Sequence, residues 1–384
     1  MNYASFCTTN YTLGRGSLSQ IGEYKDGRIA LVVDRAILKA LGLEKTLKEY
    51  ILNNCEYKVI CDVPREPTME MLKEPIEEIR RYAPKYIVAI GGGSVLDAAK
   101  ALWLFYELPR YDWNMAFTPY QIEHFPGKAT LTVVPTTSGT GSETTGCAVI
   151  KDDEKHKRMI LSNEILPTSA ILDFDLLKSL PKKNIAFSGT DALAHAMEAS
   201  VSKTASGLVK EIGCQAAITL IKELPRSYSG DADAREKVHI AATMAGSAIS
   251  NAITGMAHGM DFAGGDFNLP HGLMTGMLLP YTMSYLAPQA FYEKVADQLG
   301  ITGNSDEKQK ELIRTIWKMY DAVGMPKTLA EAGVPEKDYL EKIPAYIERA
   351  KADANIILCP KEPTDDELKT LFLQFYYGLK EKNV

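Results

Sequence analysis

The sequence predicts an α/β N-terminal domain with a parallel dinucleotide-binding sheet, followed by an all-α C-terminal metal-binding domain. Three observations carry that expectation. Short, continuously apolar runs alternate with helical patterns over the first half of the chain. Two of those runs open directly into loops rich in glycine, serine and threonine. Beyond residue 184 the strand-like runs stop, and apolar residues recur at three- and four-residue spacing. A chain of 384 residues is long for one hydrophobic core. The polar stretch Pro181–Asn184 marks the boundary, giving domains 1–184 and 185–384.

Composition excludes several classes. A hydrophobic fraction of 46% and a charged fraction of 24% are those of a folded globular protein. A formal net charge of −6 argues against a surface for nucleic acid or anionic membrane. The opening MNYASFCTTN lacks the basic region and apolar run of a secretory leader, and no apolar stretch is long enough to span a bilayer. Cys7, Cys55, Cys61, Cys147, Cys214 and Cys359 are scattered without a C-x-x-C pair, so neither a disulfide framework nor a cysteine zinc site is expected. A cytoplasmic location is the expectation.

Along the chain, NYTL at 10–13 is a strand-like segment suited to a sheet edge. The strands expected next are Ile29–Val33, Tyr57–Cys61, Tyr86–Ile90, Thr130–Val134 and Ala170–Leu172, with helical patterns between several of them, as at 69–83. Tyr86–Ile90 runs straight into Gly91, Gly92, Gly93 and Ser94 and then a helical pattern containing Asp97. Glycines let the backbone approach a ligand, and the N–H groups opening the next helix point at an anion, so a diphosphate is the expected guest. The pattern is not G-x-G-x-x-G. The acidic residue suited to a ribose, Asp34, precedes the glycines instead of following them by some 20 residues, so the topology is expected to differ from the common dinucleotide fold. Thr130–Val134 leads into PTTSGTGSE at 135–143, whose Thr136, Thr137 and Ser142 could hold a second phosphate, a ribose or a carboxamide, or close turns on themselves.

The second half contains GLVKEIGCQAAITLIKEL, EKVHIAATMAGSAISNAI, DEKQKELIRTIWKMYDAV and DDELKTLFLQFYYGLKEK, all with helical periodicity. In GTDALAHAMEAS (189–200), Asp191 and His195 lie four apart and share a helix face. Two readings stand for them. Ser188-Gly-Thr-Asp191 fits a capping box, which would spend Asp191 on a helix start. Alternatively the pair begins a metal site, completed by His258 and by His271, which follows Pro270 at an expected helix start. One carboxylate and three neutral imidazoles would leave a divalent cation at net +1 and suit Fe2+, Zn2+, Co2+ or Mn2+ better than Ca2+ or Mg2+.

With these residues assembled, the chain resembles the iron-dependent (group III) alcohol dehydrogenases over nearly its full length, through GGGSVLDAAK, PTTSGTGSE, SGTDALAHAMEA and PHG at 270–272, in that order. The resemblance implies a dehydroquinate synthase-like fold. It implies metal ligands Asp191, His195, His258 and His271 for Fe2+ or Zn2+, and diphosphate contacts from Gly91, Gly92, Gly93 and Ser94. Asp97 is counted with the cofactor-binding residues. Thr136, Thr137 and Ser142 would lie near the nicotinamide half, and Asp34 would favour NAD over NADP. A basic residue near Lys157–Arg158 is expected to face the cofactor. Hydride transfer between nicotinamide and a small primary alcohol or aldehyde is the implied reaction, in a homodimer. The chain departs from the family pattern at Phe262, where many members carry a further histidine, and in a His258–His271 loop one residue shorter than usual. Phe262 makes the expected pocket apolar. The alternatives are a lyase or cyclase of the dehydroquinate synthase type that uses NAD transiently, and a non-catalytic nucleotide- or metal-binding protein.

Overall fold

The computed structural model describes residues 5–51, 54–154, 156–178 and 180–379. Residues 1–4 of the N-terminal stretch and 380–382 of the last expected helix lie outside the described residues. The chain divides into two compact units, one spanning Cys7–Leu180 and the other running on from Pro181.

In the first unit, strands β1 (Asn10–Leu13), β2 (Arg28–Val33), β3 (Glu56–Asp62), β4 (Tyr86–Gly91), β5 (Thr130–Pro135), β6 (Cys147–Lys151), β7 (Lys157–Leu161) and β8 (Ser169–Leu172) follow in order. Six of them make one sheet, ordered β1-β8-β5-β4-β2-β3, and every pairing in it is parallel. Helices α1 (Arg35–Ala40), α2 (Leu43–Ile51), α3 (Met69–Tyr82), α4 (Gly93–Glu107) and α5 (Trp113–Ala116) belong to this unit. Period-two side-chain alternation divides the strand residues between two cores. Ile29, Leu31, Val33, Val88 and Ile90 pack on one face with Leu38, Leu43, Leu47 and Ile51 of α1 and α2. Ala30, Val32, Ile87, Ala89, Leu131 and Val133 pack on the other with residues of α3 and α4. Covering both faces explains why these strands read as continuous apolar runs.

The parallel order also sets the edge that matters. β2 and β3 extend the sheet one way from the β2/β4 junction; β4, β5 and β8 extend it the other way. Such a reversal opens a crevice at the carboxyl ends of the two strands. Asp34 follows β2, the glycine loop follows β4, and the threonine-rich loop follows β5, so all three stand side by side. That is why the acidic residue precedes the glycines in the chain: its strand is the spatial neighbour of theirs.

The antiparallel β6–β7 hairpin was absent from the expected strands. Its residues are half-exposed and include Lys151, Lys157 and Arg158, so no apolar run announces it.

The second unit is helical: α6 (Lys182–Val201), α7 (Gly207–Tyr228), α8 (Ala232–Ser250), α9 (Met256–Gly259), α10 (Ala263–Asp266), α11 (His271–Tyr285), α12 (Ala290–Gln298), α13 (Ser305–Val323), α14 (Glu336–Lys351), α15 (Ala354–Ile357) and α16 (Asp365–Tyr377). Capping boxes at Asn304/Glu307 and Thr364/Glu367 start α13 and α16. α6 is the centre of the unit and packs against α7, α8 and α11. It is buried on nearly every face, and Ala192, Ala194, Ala196 and Ala199 are fully buried. Small side chains there let three neighbours approach closely.

The helix start inferred at Ser188 is corrected. α6 begins six residues earlier, after Pro181, and Ser188 Oγ donates back to the Asn184 carbonyl at 2.6 Å. Asp191 therefore lies in mid-helix and caps nothing. The local S-x-x-D signal is overridden because the preceding turn, Lys182–Phe187, is itself helical.

α11 approaches α6 where a side chain is missing. A Cβ on Gly272 would lie 2.5 Å from the Phe187 carbonyl oxygen, a backbone atom that cannot swing aside. Gly272→Ala is expected to push α11 off α6 and to cost about 1–3 kcal/mol, as overpacking does; a lowered denaturant midpoint with an unchanged slope checks it.

Candidate metal centre

Asp191 and His195 occupy one face of α6, and Glu198 continues that face one turn on. His258 lies in α9, and His271 is the first residue of α11, directly after Pro270. The helices bring the side chains together around one oxygen. Asp191 Oδ1 lies 3.8 Å from His195 Nε2, 3.6 Å from His258 Nε2 and 3.9 Å from His271 Nε2. The His195 and His258 rings stack at 4.7 Å, and His271 stands edge-on to His258 at 5.3 Å. Thr275, one turn into α11, donates to Asp191 Oδ1 at 2.7 Å and orients the carboxylate.

These groups fit a metal. In a tetrahedral site with bonds of about 2.0–2.1 Å, neighbouring donors stand about 3.3–3.4 Å apart. The separations from Asp191 Oδ1 to the three histidines need to close by only about 0.2–0.6 Å. Asp191, His195 and His258 place their donor atoms within 4.8 Å of one another. His258 Nε2 is buried and has no hydrogen-bond partner among the described residues, an arrangement that a ligated cation satisfies. The side chains of Asp191, His195 and His258 are 3%, 5% and 9% exposed, whereas His271 is 38% exposed. The cluster is thus closed on one side and open at His271, as a site that must admit a substrate requires.

Electrostatics follow from burial and the carboxylates. Burial opposes ionisation of Asp191, but His195, His258 and His271 together hold its carboxyl well below the usual carboxylate range. Burial pushes His195 down to about 4. Burial also opposes protonation of His258, yet the Glu198 and Asp191 carboxylates overcome it and push the imidazole up to about 10.

Glu198 and Asp261 did not emerge from the sequence. Glu198 accepts from His258 Nδ1 at 2.5 Å, and Asp261 accepts from His271 Nδ1 at 2.5 Å. A signal existed for the first: Asp191, His195 and Glu198 fall at i, i+4 and i+7 of one helix. For Asp261 there was none, since the partner of His271 depends on how the 258–271 loop folds back.

In the first unit, α4 opens at Gly93 behind Gly92, with no side-chain cap on its first turn. Ser94 is its second residue. The two loops touch: a Cβ on Gly93 would lie 2.8 Å from Thr140 Cγ2, and one on Gly92 would lie 3.4 Å from Thr137 Cγ2. The Thr136 amide donates to the Gly91 carbonyl at 2.9 Å, and the buried Thr136 hydroxyl has no partner. Bare amides, close-packed glycines and an unpaired hydroxyl suit the diphosphate of a dinucleotide.

Asp97 and Ser142, grouped above with the cofactor contacts, are engaged with the protein. Ser142 Oγ donates to Asp97 Oδ1 at 2.7 Å, and the Val149 amide donates to Asp97 Oδ2 at 3.1 Å. Fully buried Lys100 donates to Ser142 Oγ at 2.9 Å, to the Thr145 carbonyl at 2.8 Å and to the Cys147 carbonyl at 2.7 Å. This lattice ties the threonine-rich loop to α4, one helical turn past the glycines. Asp34 Oδ1 accepts from the Ala36 and Ile37 amides at 2.9 and 3.1 Å, capping α1. Lys157 pairs with Glu66 at 3.5 Å and Arg158 covers the Phe117 ring at 4.8 Å, so both side chains are engaged by neighbouring segments of the same unit. The Phe262 ring lies 5.7 Å from that of Tyr346, with the Arg349 guanidinium 4.3 Å above it.

Comparison with known proteins places these features in context. The iron-containing alcohol dehydrogenase family matches residues 8–174, and the C-terminal part of the Fe-containing alcohol dehydrogenase family matches residues 185–376. The chain is 34% identical over 371 residues to an NADPH-dependent butanol dehydrogenase of Clostridium saccharobutylicum, covering 95% of this chain and 96% of that one. It is 34% identical over 381 residues to an alcohol dehydrogenase of Thermococcus barophilus, covering 96% and 98%. Among solved structures, an iron-containing alcohol dehydrogenase from Thermococcus thioreducens superposes with a TM-score of 0.88 at 33% identity, covering 99% of this chain and 100% of that one.

The raised His258 yields a prediction. Without metal it holds a proton at neutral pH, and its Nε2 must lose that proton to ligate. His195, already neutral, releases none. Metal uptake near pH 7 is expected to expel one proton at His258, and affinity to rise about tenfold per pH unit until His258 deprotonates by itself near pH 10. Calorimetry in buffers of different ionisation enthalpy reads the proton directly.

Proposed function

The chain belongs to the iron-containing alcohol dehydrogenase family, a metal-dependent class of alcohol and aldehyde oxidoreductases, and from that premise we propose how its residues divide the work. Asp191, His195, His258 and His271 hold one Fe2+ or Zn2+. The observation that carries this assignment is the convergence of three imidazole Nε2 atoms on Asp191 Oδ1. A bound metal supplies Lewis acidity toward a substrate oxygen, and a bound nicotinamide dinucleotide accepts or returns the hydride. The half-exposed His271 marks the side from which substrate enters.

Gly91, Gly92, Gly93 and Ser94 receive the diphosphate, with Thr136 and Thr137 beside it. Asp97 and Ser142 act through the loop they hold. Asp34 favours NAD, because its carboxylate would repel the extra phosphate of NADP. Phe262 can neither take nor give a proton, so this position would leave the substrate proton to another group than the histidine many relatives carry there. With Phe262 proposed to line the pocket where relatives carry a histidine, short aliphatic alcohols and aldehydes are the proposed substrates, in keeping with the butanol named for the Clostridium relative. The working form is proposed to be a cytoplasmic homodimer, for which the exposed edge strand β1 offers a pairing surface.

His195→Ala is expected to lose the metal and to lower turnover by about 1000-fold or more, with helix content retained. Full activity in the metal-stripped variant would end the assignment. The same assay, run on short alcohols with NAD and NADP side by side, is expected to show the higher kcat/KM with NAD. Sustained NADH formation separates hydride transfer to a released product from a cyclase-like cycle, which forms none.

A further inference from the structure

We propose that Glu198 and Asp261 are positioning residues for the metal, each fixing one histidine in the tautomer and orientation that presents Nε2 to the ion. The inference rests on the ligand assignment made above. A neutral imidazole carries one N–H and one lone pair, and a carboxylate on one nitrogen decides which is which. Glu198 Oε2 accepts from His258 Nδ1 at 2.5 Å, and Asp261 Oδ2 accepts from His271 Nδ1 at 2.5 Å. Both N–H groups are thereby placed at Nδ1, and both lone pairs at Nε2, the atoms that face Asp191. The carboxylates are themselves buried, with side chains 5% and 6% exposed.

The two are not equivalent. Glu198 Oε1 also accepts from the Ala257 amide at 2.5 Å, so one side chain anchors both the ring of His258 and the backbone that carries it. Residue 255, beside it, is glycine: a Cβ there would lie 3.1 Å from Glu198 Cβ and from Oε1, and Glu198 would have to shift by a few tenths of an ångström to admit it. Among the described residues, Asp261 Oδ1 has no hydrogen-bond partner, so this carboxylate is committed to His271. His195 Nδ1 is likewise buried with no hydrogen-bond partner among the described residues, so no such support is seen for the third imidazole. Two of the three imidazoles are thus pinned from outside, and the charge of the assembly changes with them. Asp191 alone leaves a divalent ion at +1; adding Glu198 and Asp261 brings the total to −1. That excess favours retention of a cation, and the polarised imidazoles become better donors.

The alternative is that both carboxylates merely tie α9 and α11 in place. Metal-free wild type, Glu198→Gln, Asp261→Asn and His195→Ala are titrated with Zn2+ against a chromogenic chelator, and the Co2+-loaded proteins are examined by visible absorption. If the proposal holds, Glu198→Gln and Asp261→Asn still bind one ion, but with dissociation constants raised about 10–100-fold and with altered Co2+ ligand-field bands. Dissociation constants within twofold of wild type, with superimposable Co2+ spectra, would overturn it. Should Glu198→Gln fail to fold, Asp261→Asn alone decides. His195→Ala is the control on the ligand assignment: if it binds Zn2+ as tightly as wild type, that assignment fails, whatever the carboxylate variants do.

Discussion

A carboxylate buried beside three imidazoles is the constraint around which the helical unit is arranged. Asp191 is 2% exposed and sits in mid-helix, where water cannot solvate its charge. An isolated buried carboxylate is too costly to keep ionised, so its neighbours must compensate it. Thr275 and the three histidines do so from three separate helices, α6, α9 and α11. α9 and α11 must approach α6 closely, and the buried alanines of α6 together with Gly272 leave room for that approach.

The sheet unit solves a different problem by a related device. Its glycine-rich and threonine-rich loops have few large side chains of their own, so something else must keep them in shape. Lys100 meets that need, because its ammonium is fully buried and donates to groups on three residues of the 142–147 stretch, Ser142, Thr145 and Cys147. Burial lowers the Lys100 pKa and raises that of Asp97, each against the pull of the other. The hydrogen bonds through Ser142 Oγ make the burial tolerable. The residues that look most like cofactor contacts in the motif therefore include two whose visible bonds are to the scaffold.

The metal cluster is also graded from inside to outside. His195 is deeply buried and lacks a partner at Nδ1, His258 is pinned by Glu198, and His271 stands partly in solvent behind Asp261. A rigid base with one exposed arm is a shape suited to an ion that must stay bound while small molecules exchange beside it.

Much of this was legible from the chain alone. Strand positions follow from apolar runs because a sheet covered on both faces tolerates few polar residues, and the clustered residues Asp191, His195, His258 and His271 stand out because histidine is scarce and Asp191 and His195 share a helical period. The edge position of 10–13 was also readable. What stayed hidden depends on contacts between distant segments. The β6–β7 hairpin is too polar to show a pattern, and the start of α6 is obscured by a local capping signal that packing overrides. The neighbours of Asp97, Ser142 and Phe262, and the carboxylates behind His258 and His271, were equally out of reach. Local periodicity records which face a residue shares with its own helix or strand; which side chain meets it across a gap is decided only when the chain folds back, and hydrogen-bond geometry is sensitive to fractions of an ångström that no spacing rule encodes.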